Sequence, residues 1–267
     1  MMRGWSLPLS ESGLSALVPA PPWHFSGDVI AIEFRVDPGR LAALLPPWLD
    51  PLPNGSCAFV FCDWCAAADS DPRLQEDPAR GQYKEAYVAI DVTYEGNRAA
   101  RISQIWVDSD LSLVRGLVQG FPKKFGSVYM TRSVEVGRGG VRRQPGSRFA
   151  AHVSMLGQRL AKGTVVLDRE HQPPVYPPGV SRPLIHTRLL PSLAGETPTV
   201  YERTRGAITD FEVGRTFSGE EASLELGSSE FEELELVSPA DVGPGWVFSV
   251  GYTVTGGSEE PLARDAD

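Results

Sequence analysis

The stretch Gln119-Gly120-Phe121-Pro122-Lys123-Lys124-Phe125-Gly126 places two lysines side by side among aromatic residues. Lysine is otherwise rare in this chain of 267 residues, which has four lysines and twenty-one arginines. A guanidinium stays protonated, whereas the amine of a lysine in an apolar pocket can lose its proton and attack a carbonyl carbon. An arbitrary lysine pair is ordinarily an exposed basic loop, but this composition and context favour a function that requires an amine.

Residues 120–126 resemble the signature of the acetoacetate decarboxylase superfamily, in which the first lysine of the pair forms a Schiff base with a keto acid. Similar segments precede and follow it in the family's order: Ile32-Glu33-Phe34-Arg35-Val36-Asp37, Leu41-Ala42-Ala43-Leu44-Leu45-Pro46, Arg182-Pro183, Leu189-Leu190-Pro191-Ser192, Ile208-Thr209-Asp210 and Gly214-Arg215. The resemblance spans residues 20–255. It implies a mainly β (α+β) fold, namely an antiparallel β-barrel of the acetoacetate decarboxylase-like type with a few outer helices. It also implies a homo-oligomer, with a tetramer as the favoured assembly.

A predicted helix over residues 111–119 leads into the lysine pair. Arg115 and Gln119 lie four residues apart and therefore share one face of this helix, and Lys123 follows its end. This arrangement suits a keto acid. Arg115 would hold the carboxylate through two parallel hydrogen bonds, Gln119 would orient the carbonyl or a new hydroxyl, and Lys123 would attack. A surface ion pair between Arg115 and an acid such as Asp108 is an equally supported alternative.

Lys123 must be neutral to attack a carbonyl. An unperturbed lysine has a pKa of about 10.4, so at pH 7 fewer than about one in a thousand is a free amine. Burial lowers a lysine pKa by as much as about 3–5 units, and Phe121, Pro122 and Phe125 supply apolar surroundings. Because neighbouring residues of an extended strand point to opposite faces, we expect burial to matter more than the charge of Lys124.

An imine on Lys123 is an electron sink for two reactions. It accepts electrons from a departing carboxylate, which is decarboxylation, or it stabilises an enamine that attacks an aldehyde. Aldol addition followed by loss of water uses the same lysine with a proton shuttle. Glu85 and Tyr252 are the predicted shuttles, although a packed tyrosine is an equally supported interpretation of Tyr252. Trp23 and Phe121 are predicted to wall the substrate site.

The sequence departs from the family pattern at several positions where the decarboxylases carry charged residues. Gly27 stands where they carry an arginine, and Val60 stands where a strand carries an acid. Leu117 or Val118 replaces an acid upstream of the signature, whereas Glu85 matches a family acid that is retained. These losses argue against decarboxylation, and a glutamine four residues before the lysine suits the pyruvate aldolase-dehydratase branch of the superfamily.

Strand patterns dominate the chain. Short runs of β-branched and aromatic residues bounded by turn residues predict strands over 29–36, 58–62, 86–94, 99–107, 127–136, 149–155, 163–167, 207–213, 222–226 and 247–254. Helices are predicted over 39–45, after Asp37-Pro38, and over 111–119, after Asp108-Ser109-Asp110. One domain is expected over residues 1–255, followed by a disordered C-terminal tail over 256–267.

Composition excludes several classes of partner. A net charge of −9 argues against nucleic acid, and the chain has no apolar run long enough for a membrane span. Three cysteines cannot all pair, which fits a reducing cytoplasm. Cys62-Asp63-Trp64-Cys65 has C-x-x-C spacing, but without a second pair or nearby histidines we expect no metal. The histidines are interpreted as satisfied surface or core residues: His24, His152, His171 and His186.

The sequence therefore predicts a Schiff-base lyase. We expect it to condense pyruvate or another small 2-oxo acid with an aldehyde and then to remove water, without a cofactor. Two alternatives remain open, namely decarboxylation of acetoacetate or another 3-oxo acid, and a catalytically inactive barrel that binds a small keto acid.

Overall fold

β-Strands supply most of the regular structure in the computed structural model, which describes residues 1–172, 174–175, 182–195 and 197–262. The strands are β1 (Trp23–Arg35), β2 (Asp50–Pro51), β3 (Ser56–Ala68), β4 (Gln82–Tyr94), β5 (Asn97–Val107), β6 (Lys123–Phe125), β7 (Ser127–Met130), β8 (Arg148–Met155), β9 (Gln158–Val166), β10 (Arg169–His171), β11 (Ile185–Leu190), β12 (Val200–Val213), β13 (Thr216–Gly219), β14 (Ala222–Leu226) and β15 (Asp241–Pro261). The helices are α1 (Pro38–Ala42), α2 (Arg73–Glu76), α3 (Pro78–Gly81) and α4 (Asp110–Gln119), with a 3-10 turn over Leu234–Val237. No helix in these ranges is both long and apolar enough to cross a bilayer. The predicted mainly β fold with few helices is confirmed.

Eleven of the strands form one curved sheet. Its main path runs β10, β13, β15, β1, β3, β4, β5 and β6, while β12 pairs with β15, β11 with β12 and β2 with β4. All pairs are antiparallel except β5 with β6. Among the described residues the path does not close, but an isolated parallel bridge between Ala100 and Leu184 brings the start of β11 beside β5. The sheet is therefore an incompletely closed barrel.

The side chains of β1 alternate between two apolar cores, because successive residues of a strand point to opposite faces. Ile30 and Ile32 belong to the core shared with the second sheet, in which β14, β9, β8 and β7 lie in order. Val29 and Ala31 belong to the core on the inner face of the curved sheet. Two buried faces explain the unbroken apolar run Val29-Ile30-Ala31-Ile32 in the middle of β1. The inner face carries the candidate site.

Helix α4 and the turn after it set the position of the lysine pair. Ser109 is the N-cap, as the capping pattern predicts, and its hydroxyl accepts a hydrogen bond from the backbone N–H of Ser112 at 3.3 Å. The helix ends at Gly120, which has a φ of 84° and whose added Cβ would lie 2.7 Å from Thr204 Oγ1. Only glycine fits this turn without strain, and the chain then enters β6 at Lys123.

The last strand extends past its predicted end. Residues 256–261, predicted to belong to a disordered tail, continue β15 and pair with β12 as far as Glu202 opposite Pro261. Glu259 forms an ion pair with Arg188 at 2.7 Å, and the next residue, Glu260, forms one with Arg203. The predicted disorder is therefore wrong for these residues, because the acidic tail meets arginines of β11 and β12. Residues 263–267 lie outside the described residues, and the single domain over 1–255 stays a prediction.

Candidate active site

A cavity of about 830 Å³ lies on the inner face of the curved sheet. The residues that the sequence analysis proposed for the site all line it: Trp23, Glu85, Arg115, Gln119, Phe121, Lys123 and Tyr252. They come from elements that are distant in sequence, namely β1, β4, α4, the turn before β6, β6 itself and β15. The structure thus brings the predicted residues together, while their individual roles stay predictions. Trp5 and Pro21 of the N-terminal segment also line the cavity.

Lys123 projects from β6 across helix α4 into the cavity. Its side chain is 7% exposed, and its Nζ donates hydrogen bonds to Glu85 Oε2 at 3.0 Å and to Ser112 Oγ at 2.9 Å. Gly116 allows this path, because a Cβ at that position would lie 2.4 Å from Cδ of Lys123. Neither Ser112 nor Gly116 was singled out from the sequence, although both lie on the helix face that was.

The surroundings of Lys123 favour its neutral form. Burial lowers the pKa of its ammonium, and the positive charge of Arg115 lowers it further, while the carboxylate of Glu85 opposes both. Lys124 points away, as expected for extended backbone, and is paired at 3.0 Å with Glu232. The cation that acts on Lys123 is therefore Arg115, on the preceding helix, and not the second lysine of the signature.

Both oxygens of Glu85 are engaged. Trp64 Nε1 donates a hydrogen bond to Oε1 at 2.9 Å, and Oε2 accepts from Lys123. Glu85 is 7% exposed, so the carboxylate is shielded from water and held in one orientation. This geometry suits a group that exchanges protons with the amine of Lys123. Trp64 was missed in the sequence, where it stands between the two cysteines of the C-x-x-C spacing.

Arg115 is buried against aromatic rings with part of its guanidinium unused. It is 1% exposed, its Nη2 donates to the Tyr83 hydroxyl at 3.0 Å, and Nη1 has no hydrogen-bond partner among the described residues. Its Cζ lies 4.6 Å from the ring centroid of Phe25. The alternative of a surface pair with Asp108 is wrong, because that carboxylate accepts from the backbone N–H of Lys84 at 2.7 Å. The free donor of Arg115 suits an anionic group.

Tyr252 belongs to an aromatic wall of the cavity. Its ring centroid lies 5.1 Å from that of Phe25 and 5.7 Å from that of Trp64. Burial raises the pKa of the Tyr252 phenol, and the nearby Tyr83 and Glu85 raise it further. The phenol therefore stays protonated near neutral pH. The ring is packed and lines the cavity, while the role of Tyr252 as a proton shuttle stays a prediction.

The positions at which decarboxylase charges are expected carry none here. A Cβ at Gly27 would lie 2.5 Å from Cε3 of Trp64, so the indole fills the space that a longer side chain would need. Val60 is fully buried in the inner core. Leu117 is 44% exposed, whereas Val118 lines the cavity. The described cavity wall therefore lacks the arginine and the two acids that the resemblance associates with decarboxylation.

Gln119 lies at the end of helix α4, where the cavity meets β12. Its side chain lines the cavity, and its backbone carbonyl accepts a hydrogen bond from Thr204 Oγ1 at 2.7 Å. This bond attaches the last turn of the helix to the sheet. The amide of Gln119 is thereby held near the side chains that α4 and β6 direct inward.

One cavity residue contradicts its interpretation from sequence. His186, on β11, was taken as a satisfied histidine, yet it is 2% exposed and neither ring nitrogen has a hydrogen-bond partner among the described residues. It lines the cavity, with its ring centroid 4.2 Å from that of Phe121. His24 and His171 do have hydrogen-bond partners, as expected. No local sequence pattern distinguishes His186 from these.

The C-x-x-C spacing does not assemble a site in the described part of the chain. Cys62 is buried and Cys65 is exposed, and both are free thiols. Three residues apart on β3, they point to opposite faces of the sheet. No group of three or more potential metal-ligating side chains occurs among the described residues.

Comparison with known proteins points to one family. The family model described as acetoacetate decarboxylase (ADC) matches residues 6–260. The enduracididine biosynthesis enzyme MppR has been solved with pyruvate, and that structure is 35% identical, covers 97% of this chain and 98% of its own, and has a TM-score of 0.90. A second MppR structure contains the condensation product of pyruvate and imidazole 4-carboxaldehyde and is likewise 35% identical, with 97% of both chains covered and a TM-score of 0.90.

Two further relatives carry decarboxylase names. An acetoacetate decarboxylase-like enzyme from Sphingomonas wittichii is 27% identical, covers 97% of this chain and all of its own, and has a TM-score of 0.88. A protein named acetoacetate decarboxylase from Ralstonia nicotianae is 26% identical over 225 residues, which is 83% of this chain and 80% of that one.

Proposed function

The chain belongs to the acetoacetate decarboxylase family, and from this we propose that Lys123 forms an imine with pyruvate and that the enzyme then condenses pyruvate with an aldehyde and removes water. The observation that carries the proposal is the buried amine of Lys123 between Glu85 and Ser112, in a cavity that also holds the free Nη1 of Arg115. The similarity to MppR, which was solved with pyruvate, supports the choice of keto acid.

The first step is imine formation. The pyruvate carboxylate accepts hydrogen bonds from Arg115, and the neutral amine of Lys123 attacks C2 to form an N–C bond. Glu85 takes the proton that the ammonium or the adduct releases and returns it to the departing hydroxyl, which leaves as water. Gln119 orients the C2 oxygen during this exchange. The product is a protonated imine with a positive charge near Glu85.

The second stage forms and breaks bonds at C3 of pyruvate. A base removes a C3 proton, and the electron pair moves onto the imine nitrogen to give an enamine. C3 then attacks the aldehyde carbon, and the aldehyde oxygen takes a proton. Loss of a second C3 proton and of the hydroxyl as water gives a double bond conjugated to the imine, which water hydrolyses to free Lys123. Glu85 and Tyr252 are the proposed proton carriers, since both line the cavity.

Decarboxylation is the weaker alternative for this site. Gly27 and Val60 stand where the decarboxylases of the family carry an arginine and an acid, so those two charges are absent from these positions. A binding protein without catalysis is disfavoured by the surroundings of Lys123, because a buried lysine with a lowered pKa and a charged partner in a cavity is typical of a reactive site.

The test is product analysis with two substrate sets. Pyruvate and imidazole 4-carboxaldehyde are expected to give a product with the mass of both minus water, and acetoacetate is expected to release no carbon dioxide. Lys123→Ala should abolish the product, while Lys162→Ala, on β9 outside the cavity, should not. Carbon dioxide from acetoacetate without condensation would identify a decarboxylase, and no reaction with either set would favour a binding protein.

The cytoplasmic location and the homotetramer are further parts of this proposal. Both rest on the sequence and on the family resemblance. Sedimentation velocity of the purified protein checks the assembly, with a single species at about four times the chain mass expected.

A further inference from the structure

His186 is a buried polar group that the proposed chemistry at Lys123 does not use. It lies on β11, is 2% exposed, and has two ring nitrogens without a partner among the described residues. Leaving a buried donor or acceptor unsatisfied destabilises the folded state. Nearly all buried side-chain polar atoms in native proteins have a partner. A partner for His186 is therefore expected to enter the cavity that it lines.

The ring of Phe121 lies between His186 and the reactive lysine, Lys123. The centroid of Phe121 lies 4.2 Å from that of His186 and 5.7 Å from Nζ of Lys123. His186 stands on a different wall from Glu85, which is on β4. A molecule attached to Lys123 and extending along Phe121 would therefore meet His186 with its far part.

The charge state of His186 indicates which kind of chemical group its imidazole can bind. Burial lowers the pKa of its imidazole well below the usual value, and the positive charges of Arg101 and Lys123 lower it further. The ring is therefore neutral near pH 7, with one N–H donor and one acceptor nitrogen. Such a ring suits a neutral carbonyl or hydroxyl oxygen, whereas the carboxylate of a keto acid is better matched by Arg115.

We propose that His186 binds the oxygen of the second substrate, the acceptor aldehyde. This inference rests on the proposed condensation, in which Arg115 and Lys123 already account for the polar groups of pyruvate. When the enamine carbon bonds to the aldehyde carbon, the carbonyl electron pair moves onto the oxygen, and the His186 N–H stabilises that charge. A donor aimed at a developing oxyanion contributes about 10²–10³-fold to rate.

The experiment measures the step that involves pyruvate alone separately from the step that also requires the aldehyde. Exchange of the pyruvate methyl protons for deuterium, followed by NMR without any aldehyde, reports imine and enamine formation alone. Condensation of pyruvate with benzaldehyde, whose single polar atom is the aldehyde oxygen, reports the full reaction. The variants are His186→Leu, which removes both hydrogen-bonding atoms, and His186→Gln, which keeps a donor and an acceptor. The control is His152→Leu, on β8 outside the cavity.

The expected result is selective loss. His186→Leu should keep methyl exchange within about twofold and lose about 10²–10³-fold in kcat/KM for benzaldehyde, while His186→Gln should recover part of that loss. The melting temperature of His186→Leu should stay unchanged or rise, because an apolar side chain replaces an unsatisfied polar one. The control should retain both activities.

Three results would overturn the inference. Full condensation activity in His186→Leu would show that the imidazole binds no acceptor oxygen. Parallel loss of exchange and condensation in both variants would assign His186 to the support of Lys123. Absence of methyl exchange in the unmodified enzyme would instead contradict the proposed imine chemistry. Because the role of His186 rests on that chemistry, it would be contradicted as well.

Discussion

The amine of Lys123 lies 3.0 Å from the carboxylate of Glu85, and both side chains are more than nine-tenths buried. An ion pair shielded in this way loses much hydration and stabilises a fold poorly. Movement of one proton from the ammonium to the carboxylate removes both charges and yields the free amine. The contact therefore joins a nucleophile to its own proton acceptor, which is the central element of the proposed mechanism.

Removal of the Glu85 carboxylate should separate nucleophilic attack from proton transfer. In Glu85→Gln the pKa of Lys123 falls further, because the charge that raises it most is gone. Imine should still form at neutral pH, but more slowly, because no carboxylate returns a proton to the departing hydroxyl. Methyl exchange should fall by about 10²–10⁴-fold, because the acid–base group is lost. NMR exchange and reductive trapping measure the two steps separately.

The matched control for that variant is Glu33→Gln. Glu33 is half-buried and accepts a hydrogen bond from the Trp246 indole at 2.6 Å, much as Glu85 does from Trp64, but it does not line the cavity. Its replacement should leave exchange unchanged. Equal rates of methyl exchange in Glu85→Gln and Glu33→Gln would show that Glu85 takes no part in the proton transfers.

Loss of the Arg115 guanidinium should weaken pyruvate binding. A hydrogen bond to a charged group contributes about 1.5–3 kcal/mol, so Arg115→Met should raise the KM for pyruvate in the exchange assay by about 10–150-fold. Arg148→Met, at an exposed pair with Glu221, is the control. An unchanged KM in Arg115→Met would show that the carboxylate is held elsewhere.

The smallest informative change is Gly116→Ala. A Cβ there would lie 2.4 Å from Lys123 Cδ, so the lysine must leave its position between Glu85 and Ser112. Alanine favours the helix by about 1 kcal/mol over glycine, so the variant should fold. We expect at least a tenfold loss of methyl exchange, whereas Gly139→Ala, where an added Cβ meets open space, should be neutral. Retained exchange would show that the cavity tolerates another lysine path.

The rate of imine formation should depend on pH through Lys123. The protonated amine is inert, so the rate rises with pH and levels off above the pKa of Lys123, which lies below the usual lysine value. Arg115→Met should move the inflection up, because a positive neighbour is lost, and Glu85→Gln should move it down. Trapping rates across pH test both signs, and an inflection near pH 10.4 in the parent enzyme would contradict the account.

The burial of Lys123 also predicts a stability effect. Between the lowered folded-state pKa and the unfolded value of about 10.4, the unfolded chain binds more protons than the folded one, so stability rises with pH across that window. Below it the charged form carries the full burial cost. Lys123→Met should therefore melt no lower than the parent enzyme at neutral pH, whereas a fall in melting temperature would indicate a mainly structural lysine.

The sequence was sufficient for the parts of the site that lie close together in the chain. The rarity of lysine and the signature residues identified Lys123, and helix periodicity placed Arg115 and Gln119 beside it. Ser112 lay on the same helix face, but serine in a helix carries no distinctive signal. Gly116 became interpretable only when the path of the Lys123 side chain was known.

Contacts between distant strands could not be predicted in this way. Trp64 reaches Glu85 because β3 and β4 pair antiparallel, and Tyr83 reaches Arg115 across the barrel interior. His186 was wrongly expected to have hydrogen-bond partners, because its surroundings depend on β11, a strand that was not predicted. The end of β15 was missed for a similar reason, since its acidic residues find arginine partners only in the folded state.

Reductive trapping of the imine tests the central claim most directly. The enzyme is incubated with pyruvate and cyanoborohydride, its intact mass is measured, and the modified peptide is mapped; acetoacetate is run in parallel. The account predicts one reduced pyruvate per chain on Lys123, and none in Lys123→Arg. Absence of an adduct from either keto acid, or an adduct on Lys124 in place of Lys123, would contradict it.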